Sequence, residues 1–310
     1  MKKFFACFLI IIALSLPFGV AGCGDDDQDQ GLKVYTSFYT LYDFATKIAQ
    51  DKANVYNIMP AGADAHSWTP SAKDIVKLNK ADIFLYNGLG LEHWTDQVIK
   101  TLDKNILIVK VSDNIDAICS DDHEHEHHHD DHDHEITDPH IWLSPKNAKI
   151  ILQNIKDAFV QADPNNAQSY FDNYEHYAQQ CDELDSEFQT KLKDFSKRDI
   201  VVTKNAFSYL CQEYNLDQEA LGSAHQTDPD ATKMSEVIKF IEDNNVKVVF
   251  YEPMSLNFAQ ALTKDATVEL KLLNPLESLS EQDLNKGNDY FKIMCQNLEA
   301  INYALEQQNG

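Results

Sequence analysis

The sequence has little glycine, little proline and few basic side chains. Its 310 residues include 10 glycines and 9 prolines, too few for collagen-like repeats. Lys and Arg together number 26 against 50 Asp and Glu, so the formal net charge at neutral pH is −24. Phosphate backbones select for basic protein faces, so this balance argues against nucleic acid as a partner and favours cations.

Motifs for three common kinds of enzyme are also missing. The chain contains no G-x-S-x-G, no G-x-x-x-x-G-K-[ST] and no complete G-x-G-x-x-G, since Gly88-Leu89-Gly90 is followed by His93 where the third glycine would stand. Hydrolase, NTPase and dinucleotide chemistry therefore have no support from motifs, and we expect that the protein is not an enzyme. With 43% hydrophobic and 25% charged residues, the chain has the composition of an ordinary globular protein.

The N-terminus has the layout of an export signal. Two lysines precede an apolar stretch from Phe4 to Phe18, and two small residues stand directly before Cys23. This ending resembles a bacterial lipobox, which implies cleavage before Cys23 and a lipid on its sulfur. We therefore predict a lipoprotein signal peptide at residues 1–22 and an acidic tether at 23–31. The mature chain is then expected on the extracytoplasmic face of the cell membrane, in the periplasm or at the cell surface.

Apolar runs alternate with helical patterns in two sets. The predicted strands are residues 33–38, 54–59, 81–87 and 105–112 in the first half, and residues 199–203, 216–221, 246–252 and 267–274 in the second. Alternation of strands and helices indicates βα units with mostly parallel sheets, so two sets predict an α/β fold of two lobes. We place the N-terminal lobe at residues 32–162 and the C-terminal lobe at 198–310.

A nearly continuous helical pattern separates the two sets. It covers residues 144–162 and 164–197, and Pro164 is a start signal for the second helix because proline is tolerated at the first helical position. A helix of about 30 residues would be about 45 Å long. We therefore predict that residues 163–197 form a long rigid helix linking the lobes, and that an amphipathic helix at 288–306 closes the chain.

Residues 121–135 read DDHEHEHHHDDHDHE, with eight acids and seven histidines. The histidines are His123, His125, His127, His128, His129, His132 and His134. The run contains literal H-E-x-x-H strings, the motif of zinc proteases, but it has no apolar residue to hold a helix against a core. We interpret it as an accessory loop that collects divalent ions, because imidazole suits zinc, copper and nickel. A plain solvated charge run is the alternative.

Three loops outside this run carry candidate ligands. His66 follows the second predicted strand, His140 lies in DPHIWLSP directly after the His-rich run, and Glu277 follows the last strand. Ligands of open α/β sheets bind beyond the carboxyl ends of the strands, so loops from two lobes can meet across one cleft. Each residue taken alone is more often an ordinary surface or core group.

A family resemblance joins these features. The strings YTSFYTLYDFATKIA, PAGADAHSWTPS, NGLGLEHW, DPHIWLSP, NAFSYL and LNPLESL occur in this order, with the His-rich insertion before DPHIWLSP. Together they resemble the zinc/manganese-binding solute-binding lipoproteins of ABC importers, the ZnuA-like and AdcA-like group, over essentially the whole mature chain. The resemblance implies two α/β lobes joined by a rigid helix, with one divalent metal held between them. It also implies capture of that metal and its delivery to an ABC permease and its ATPase.

The resemblance assigns ligands position by position. His66 and His140 match the first two family ligands, and Glu277 matches the carboxylate of the C-terminal lobe. The third family ligand, usually His and sometimes Glu, falls just before the A-F-x-Y-L string, where this chain has Lys204. A lysine ammonium has no lone pair and repels a metal cation, so Lys204 can ligate only if its pKa is strongly lowered.

Three outcomes compete at this position. His225 could supply the missing nitrogen, or Asn205 or a water molecule could complete a site made by the other three ligands. In the third outcome, Lys204 pairs with Glu277 and the cleft binds metal weakly or not at all. We favour the first two, so the predicted metal ligands are His66, His140, Glu277 and His225.

Zinc is the expected metal, and manganese is the less expected alternative, because imidazoles are soft ligands for Mn²⁺. We expect a monomer. The rival hypothesis is a surface metal-storage or adhesion lipoprotein, in which the His-rich loop binds the metal and the degenerate cleft is only a scaffold. An exported chain also permits up to two disulfides among Cys119, Cys181, Cys211 and Cys295, and buried thiols are an equal alternative.

Overall fold

A computed structural model describes residues 31–119, 137–222 and 231–310, apart from 254, 264 and 265. The predicted signal peptide, Cys23, most of the tether, the His-rich run and His225 lie outside the described residues. Among the helices that are described, none combines the length and the apolar character needed to cross a bilayer.

The first half of the described chain folds into a four-stranded parallel sheet with the order β2-β1-β3-β4. The strands are β1 (Leu32–Thr36), β2 (Ala53–Asn57), β3 (Ile83–Tyr86) and β4 (Leu107–Lys110), connected by helices α1 (Tyr39–Ala49), α2 (Ala72–Leu78) and α3 (Thr95–Ile99). The predicted strands run past the observed carboxyl ends because the apolar pattern continues into buried loop residues such as Phe38 and Met59.

Two antiparallel helices follow this sheet. Helix α4 (Pro145–Ala162) starts after Ser144, whose hydroxyl accepts a hydrogen bond from the amide of Asn147 and caps the helix. Helix α5 (Ala167–Leu192) has 26 residues, which corresponds to about 39 Å. It is shorter than the predicted helix at both ends. Pro164 opens a 3₁₀ turn at Pro164–Asn166, so the α-helix starts three residues after Pro164, and it ends at Leu192, five residues before the predicted end.

The second half forms another four-stranded parallel sheet, with the order β6-β5-β7-β8. Its strands are β5 (Asp199–Lys204), β6 (Asp217–Gly222), β7 (Val248–Tyr251) and β8 (Glu269–Leu272). Its helices are α6 (Ser208–Tyr214), α7 (Ala231–Asn244), α8 (Leu256–Leu262), α9 (Glu281–Asn285) and α10 (Tyr290–Asn309). Helix α9 was not predicted, since only five residues and a Ser280 cap define it.

Strand residues alternate between a central core and two outer cores. In β5, Val202 faces the central core and Val201 faces the outer one, as the two-residue period of a strand requires. The central core takes residues from both sheets and from α1, α4, α5 and α10, and α5 contacts helices of both halves. The predicted fold class, two parallel α/β lobes with a long helix between them, is confirmed. The exact lobe limits stay predictions.

The described cysteines form no disulfide. Cys181 and Cys211 are buried, and burial raises the pKa of the Cys181 thiol to about 12. Both side chains therefore serve as small apolar core groups.

Candidate metal centre

Three of the predicted ligands meet at one point. The Nε2 atoms of His66 and His140 lie 3.2 Å apart. Oε1 of Glu277 lies 3.3 Å from His66 Nε2 and 3.2 Å from His140 Nε2. Loops that are far apart in sequence thus bring two imidazole nitrogens and one carboxylate oxygen into a nearly equilateral triangle.

The triangle has the dimensions of a metal-binding face. Nitrogen and oxygen ligands lie about 2.0–2.2 Å from zinc, so neighbouring ligand atoms of a tetrahedral site are separated by about 3.3 Å. The three observed separations of 3.2–3.3 Å agree with this spacing. The donor set of the triangle therefore fits a zinc ion without movement of the three side chains.

Short-range hydrogen bonds shape the loop that carries His66. Oδ1 of Asp64 accepts the backbone amides of His66 and Ser67 at 2.8 and 3.1 Å, which is the pattern of an Asx turn. The ring of His93 lies with Nδ1 3.1 Å from the carbonyl oxygen of His66 and Nε2 3.0 Å from the hydroxyl of Thr69. These contacts hold the loop against the start of α3.

His140 is fully buried and is oriented by a neighbouring carboxylate. Its Nδ1 lies 2.7 Å from Oδ1 of Asp138, and its backbone amide donates to the same oxygen at 2.9 Å. A carboxylate on the far nitrogen of a histidine fixes the ring and its tautomer, so that Nε2 is directed to the metal position. The hydroxyl of Tyr209, from α6, donates to the carbonyl of Asp138 and ties this loop to the second half.

Glu277 follows β8 of the second half, yet the first half holds its backbone. The hydroxyl of Thr40 donates to the carbonyl of Leu276 at 2.6 Å, and the indole of Trp142 donates to the carbonyl of Pro275 at 2.7 Å. Leu276 is buried with a φ of 60°, a left-handed conformation that is unfavourable for a leucine. The surrounding hydrogen bonds impose this conformation, which directs the next side chain to the two histidines.

Lys204 ends β5 and reaches the same carboxylate. Its Nζ lies 3.5 Å from Oε1 of Glu277. This is the pairing of Lys204 with Glu277 that the sequence offered as the third outcome, and neither of the two outcomes that we favoured. Asn205 has its amide oxygen engaged by Gln218 and Ser208, and it would have to break both hydrogen bonds to ligate a metal. His225, the other favoured group, lies outside the described residues.

The electrostatics of the cluster put positive charge where a metal would sit. Burial opposes the charge of His140, but Asp138 and Glu277 outweigh it and raise its pKa to about 9. Burial lowers the pKa of His66, so this imidazole is neutral at pH 7. Burial alone would raise the pKa of the Glu277 carboxyl, but both imidazoles and the Lys204 ammonium hold it well below its usual range.

Two acidic residues near the cluster were not predicted as part of the site. Asp138 stands two residues before His140, and the carboxylate–histidine pairing of metal sites could have identified it. Glu252 is buried just after β7, and burial raises its pKa to about 7. The signal for Glu252 is its place at the end of the strand that neighbours β5.

The comparisons with known proteins give a consistent result. Residues 34–304 match the family model described as ZnuA, the periplasmic component A of a zinc-uptake complex. "High-affinity zinc uptake system protein ZnuA" of Bacillus subtilis (strain 168) is 35% identical over 305 residues, which are 97% of this chain and 95% of that protein. "Zinc-binding lipoprotein AdcA" of Streptococcus pneumoniae R6 is 31% identical over 305 residues, and this chain spans 61% of its length.

Solved structures agree with the sequence relatives. The crystal structure of the Zn(II)-bound ZnuA-like domain of Streptococcus pneumoniae AdcA superposes with a TM-score of 0.77 at 30% identity, covering 89% of this chain and 99% of that one. The family model matches most of the chain, one full-length relative is 35% identical to it, and the solved ZnuA-like domain has the same fold. The chain therefore belongs to the ZnuA family of zinc-uptake components.

Proposed function

We propose that this protein captures Zn²⁺ outside the cytoplasm and delivers it to an ABC permease driven by a separate ATPase. The observation that carries the proposal is the triangle formed by His66, His140 and Glu277, whose edges have the length of a zinc tetrahedron. The names of the relatives, a zinc-uptake component and a zinc-binding lipoprotein, support zinc as the cargo. A lipid on Cys23 would hold the monomeric chain at the membrane surface, and the chain itself catalyses no reaction.

The site binds its cargo in a buried position between the two halves. The side chains of His66, His140 and Glu277 are 7%, 0% and 8% exposed. In the zinc-bound state, after His140 has lost its proton, two neutral imidazoles and one carboxylate leave a fourth tetrahedral position open for water or for a group from the second half. Because the ligands are buried, entry and delivery require the two halves to separate at the cleft.

Zinc titration calorimetry on three proteins tests the proposal against the storage or adhesion hypothesis. The proteins are the intact chain, a chain lacking residues 121–135, and the intact chain with His66→Ala. The deletion is practical because Cys119 and Thr137 form an antiparallel bridge, so the two ends already lie side by side. We expect that the deletion removes weaker sites and keeps one tight site, whereas His66→Ala weakens the tight site by at least about 100-fold. Loss of all tight binding on deletion, with no effect of His66→Ala, would contradict the proposal.

A second test concerns the residue that orients His140. Asp138→Asn keeps the size of the side chain but removes the charge that fixes the ring, so zinc affinity should fall by about 10- to 100-fold. Asp163→Asn, at the turn between α4 and α5, is the matched control and should leave affinity unchanged. Competition with a zinc chelator measures both. Equal affinity of the Asp138 variant and the unaltered protein would show that Asp138 does not support the site.

A further inference from the structure

Lys204 is a positively charged group that shares the carboxylate of the metal site. Its side chain is 14% exposed, and its Nζ lies 3.5 Å from Oε1 of Glu277. Burial by itself lowers the pKa of Lys204, but the carboxylates of Glu277, Glu252 and Asp64 outweigh burial and raise it. The amine is therefore a charged ammonium with no lone pair for a metal.

A zinc ion and this ammonium cannot share Glu277 in the observed arrangement. Zinc bound at about 2 Å from Oε1 would lie within about 5.5 Å of Nζ, in a buried place where like charges are poorly screened. Lysine has a flexible four-carbon stem, so its ammonium can move several ångströms while the backbone of β5 stays in place. The displaced ammonium then needs another negatively charged partner close to Lys204.

Glu252 lies where such a group is needed. Strands β5 and β7 are paired in parallel with Val201 opposite Val249 and Val202 opposite Phe250. Continuing this register by two residues places Lys204 beside Glu252 on the same face of the sheet. The opposite charges of the two side chains favour each other: the carboxylate of Glu252 raises the pKa of Lys204, and the ammonium of Lys204 opposes the rise that burial causes in the pKa of Glu252.

The carboxylate of Glu252 is buried and incompletely bonded. The residue is 8% exposed, and its Oε1 has no hydrogen-bond partner among the residues that the structure describes. Its backbone is fixed, because its amide donates to the hydroxyl of Ser255 at 2.9 Å and that hydroxyl also contacts Thr203 of β5. A buried acceptor without a partner is costly, and its retention at this place calls for a partner in another state of the protein.

We propose that Lys204 is a displaceable occupant of the metal site, and that Glu252 receives its ammonium group when a metal ion binds Glu277. The proposal rests on the zinc-capture function given above. No proton is lost from the lysine, because the ammonium moves from the carboxylate of Glu277 to that of Glu252. Where the Glu252 carboxyl carries a proton, that proton leaves to solvent as the ammonium arrives. When the halves separate for delivery, the same ammonium returns to Glu277 and competes with the departing metal.

Zinc affinities of four full-length mature proteins test the proposal: the unaltered chain, Lys204→Met, Glu252→Gln and the double variant. Competition with a zinc chelator measures the affinity of each protein. His66→Ala is added to each of the four proteins, and the binding that it removes is assigned to the site. Lys204→Met removes the competitor and should tighten binding by about 10- to 100-fold. Glu252→Gln should weaken binding by about tenfold when Lys204 is present, and by less than about threefold in the Lys204→Met background.

Controls and the alternative outcomes separate this proposal from its rivals. Lys271→Met and Glu269→Gln make the same charge changes at an ion pair in β8 and should leave affinity unchanged. Lys204→Gln repeats the loss of charge with a polar side chain in case Lys204→Met folds poorly. If Glu252→Gln weakened zinc binding equally with and without Lys204, Glu252 would be acting as a metal ligand and the proposal would be wrong. If Lys204→Met weakened zinc binding, the lysine would be acting as a ligand, and the proposal would again be wrong.

The zinc-capture function and the lysine proposal fail in different ways. If no variant has binding that depends on His66, the capture function itself is wrong. If the unaltered chain shows such binding and Lys204→Met leaves it unchanged, only the lysine proposal is wrong. Binding that appears only after Lys204→Met would also overturn it, because the lysine would then be a permanent occupant.

Discussion

Replacing His140 with alanine is expected to have two large effects, one on zinc affinity and one on the stability of the metal-free protein. The change removes one of the three proposed ligands, so affinity should fall by at least about 1,000-fold, which exceeds the effect expected for His66→Ala. It also removes a buried positive charge that lies 2.7 Å from Asp138 and 3.2 Å from Glu277. Both carboxylates then stay buried without this partner.

The loss of stability follows from the charge of His140. Its pKa of about 9 exceeds the ordinary value of 6.5, so its contribution is complete below pH 6.5 and is lost as the pH rises through 9. Removal of one partner from a buried ionic cluster costs about 3–5 kcal/mol, and urea unfolding of the metal-free protein at pH 6 measures it.

Two histidine substitutions serve as comparisons for this effect. His66 is neutral at pH 7 because burial lowers its pKa, so His66→Ala should weaken zinc binding at much smaller cost to stability. His176→Ala, on the exposed face of α5, should change neither property. If His140→Ala were as stable as His66→Ala, the proposed charge of His140 in the metal-free protein would be wrong.

Zinc affinity is expected to rise steeply with pH and then level off. Zinc binds neutral imidazole, so the proton on His140 must leave when the metal enters. Between pH 7 and 9 this release makes affinity increase about tenfold per pH unit, and above about pH 9 the increase should stop. Lys204 keeps its proton throughout this range because neighbouring carboxylates raise its pKa.

A second titrating group, Glu252, affects how zinc affinity depends on pH below pH 7. Burial raises the pKa of Glu252 to about 7, so its proton is a second one that zinc can displace, and the pH dependence should steepen below pH 7. Calorimetry at pH 8 in two buffers of different ionisation enthalpy counts the protons, and the expected value is close to one per zinc. A value of zero at pH 8 would mean that His140 is neutral before the metal binds.

The sequence predicted the elements of the fold well where local patterns define them. All eight strands overlap predicted apolar runs, because the apolar residues of these runs pack into the cores on the two faces of each parallel sheet. The predicted strand ends were less accurate, since Phe38 and Met59 are apolar residues that are buried in the core but lie beyond the ends of the strands. Pro164 likewise marks the right place but opens a 3₁₀ turn before α5.

The sequence predicted which candidate ligands lie together, but it did not predict the charges around them. His66, His140 and Glu277 stand in recognisable loops, and the structure brings them together. The pairing of Lys204 with Glu277 depends on contacts remote in sequence, because Thr40 and Trp142 hold the Glu277 loop to the first half while Lys204 comes from the second. No local sequence pattern shows whether the ammonium of Lys204 pairs with Glu277 or with Glu252.

The central claim is that one zinc ion is bound by His66, His140 and Glu277. An anomalous difference map at the zinc absorption edge, from crystals of the zinc-loaded protein lacking residues 121–135, tests this directly. We predict one strong peak about 2 Å from Nε2 of both histidines and from Oε1 of Glu277, with the ammonium of Lys204 moved away from that carboxylate. A zinc-loaded crystal with no peak at this position, or with Lys204 still paired to Glu277 and the zinc held elsewhere, would contradict the account.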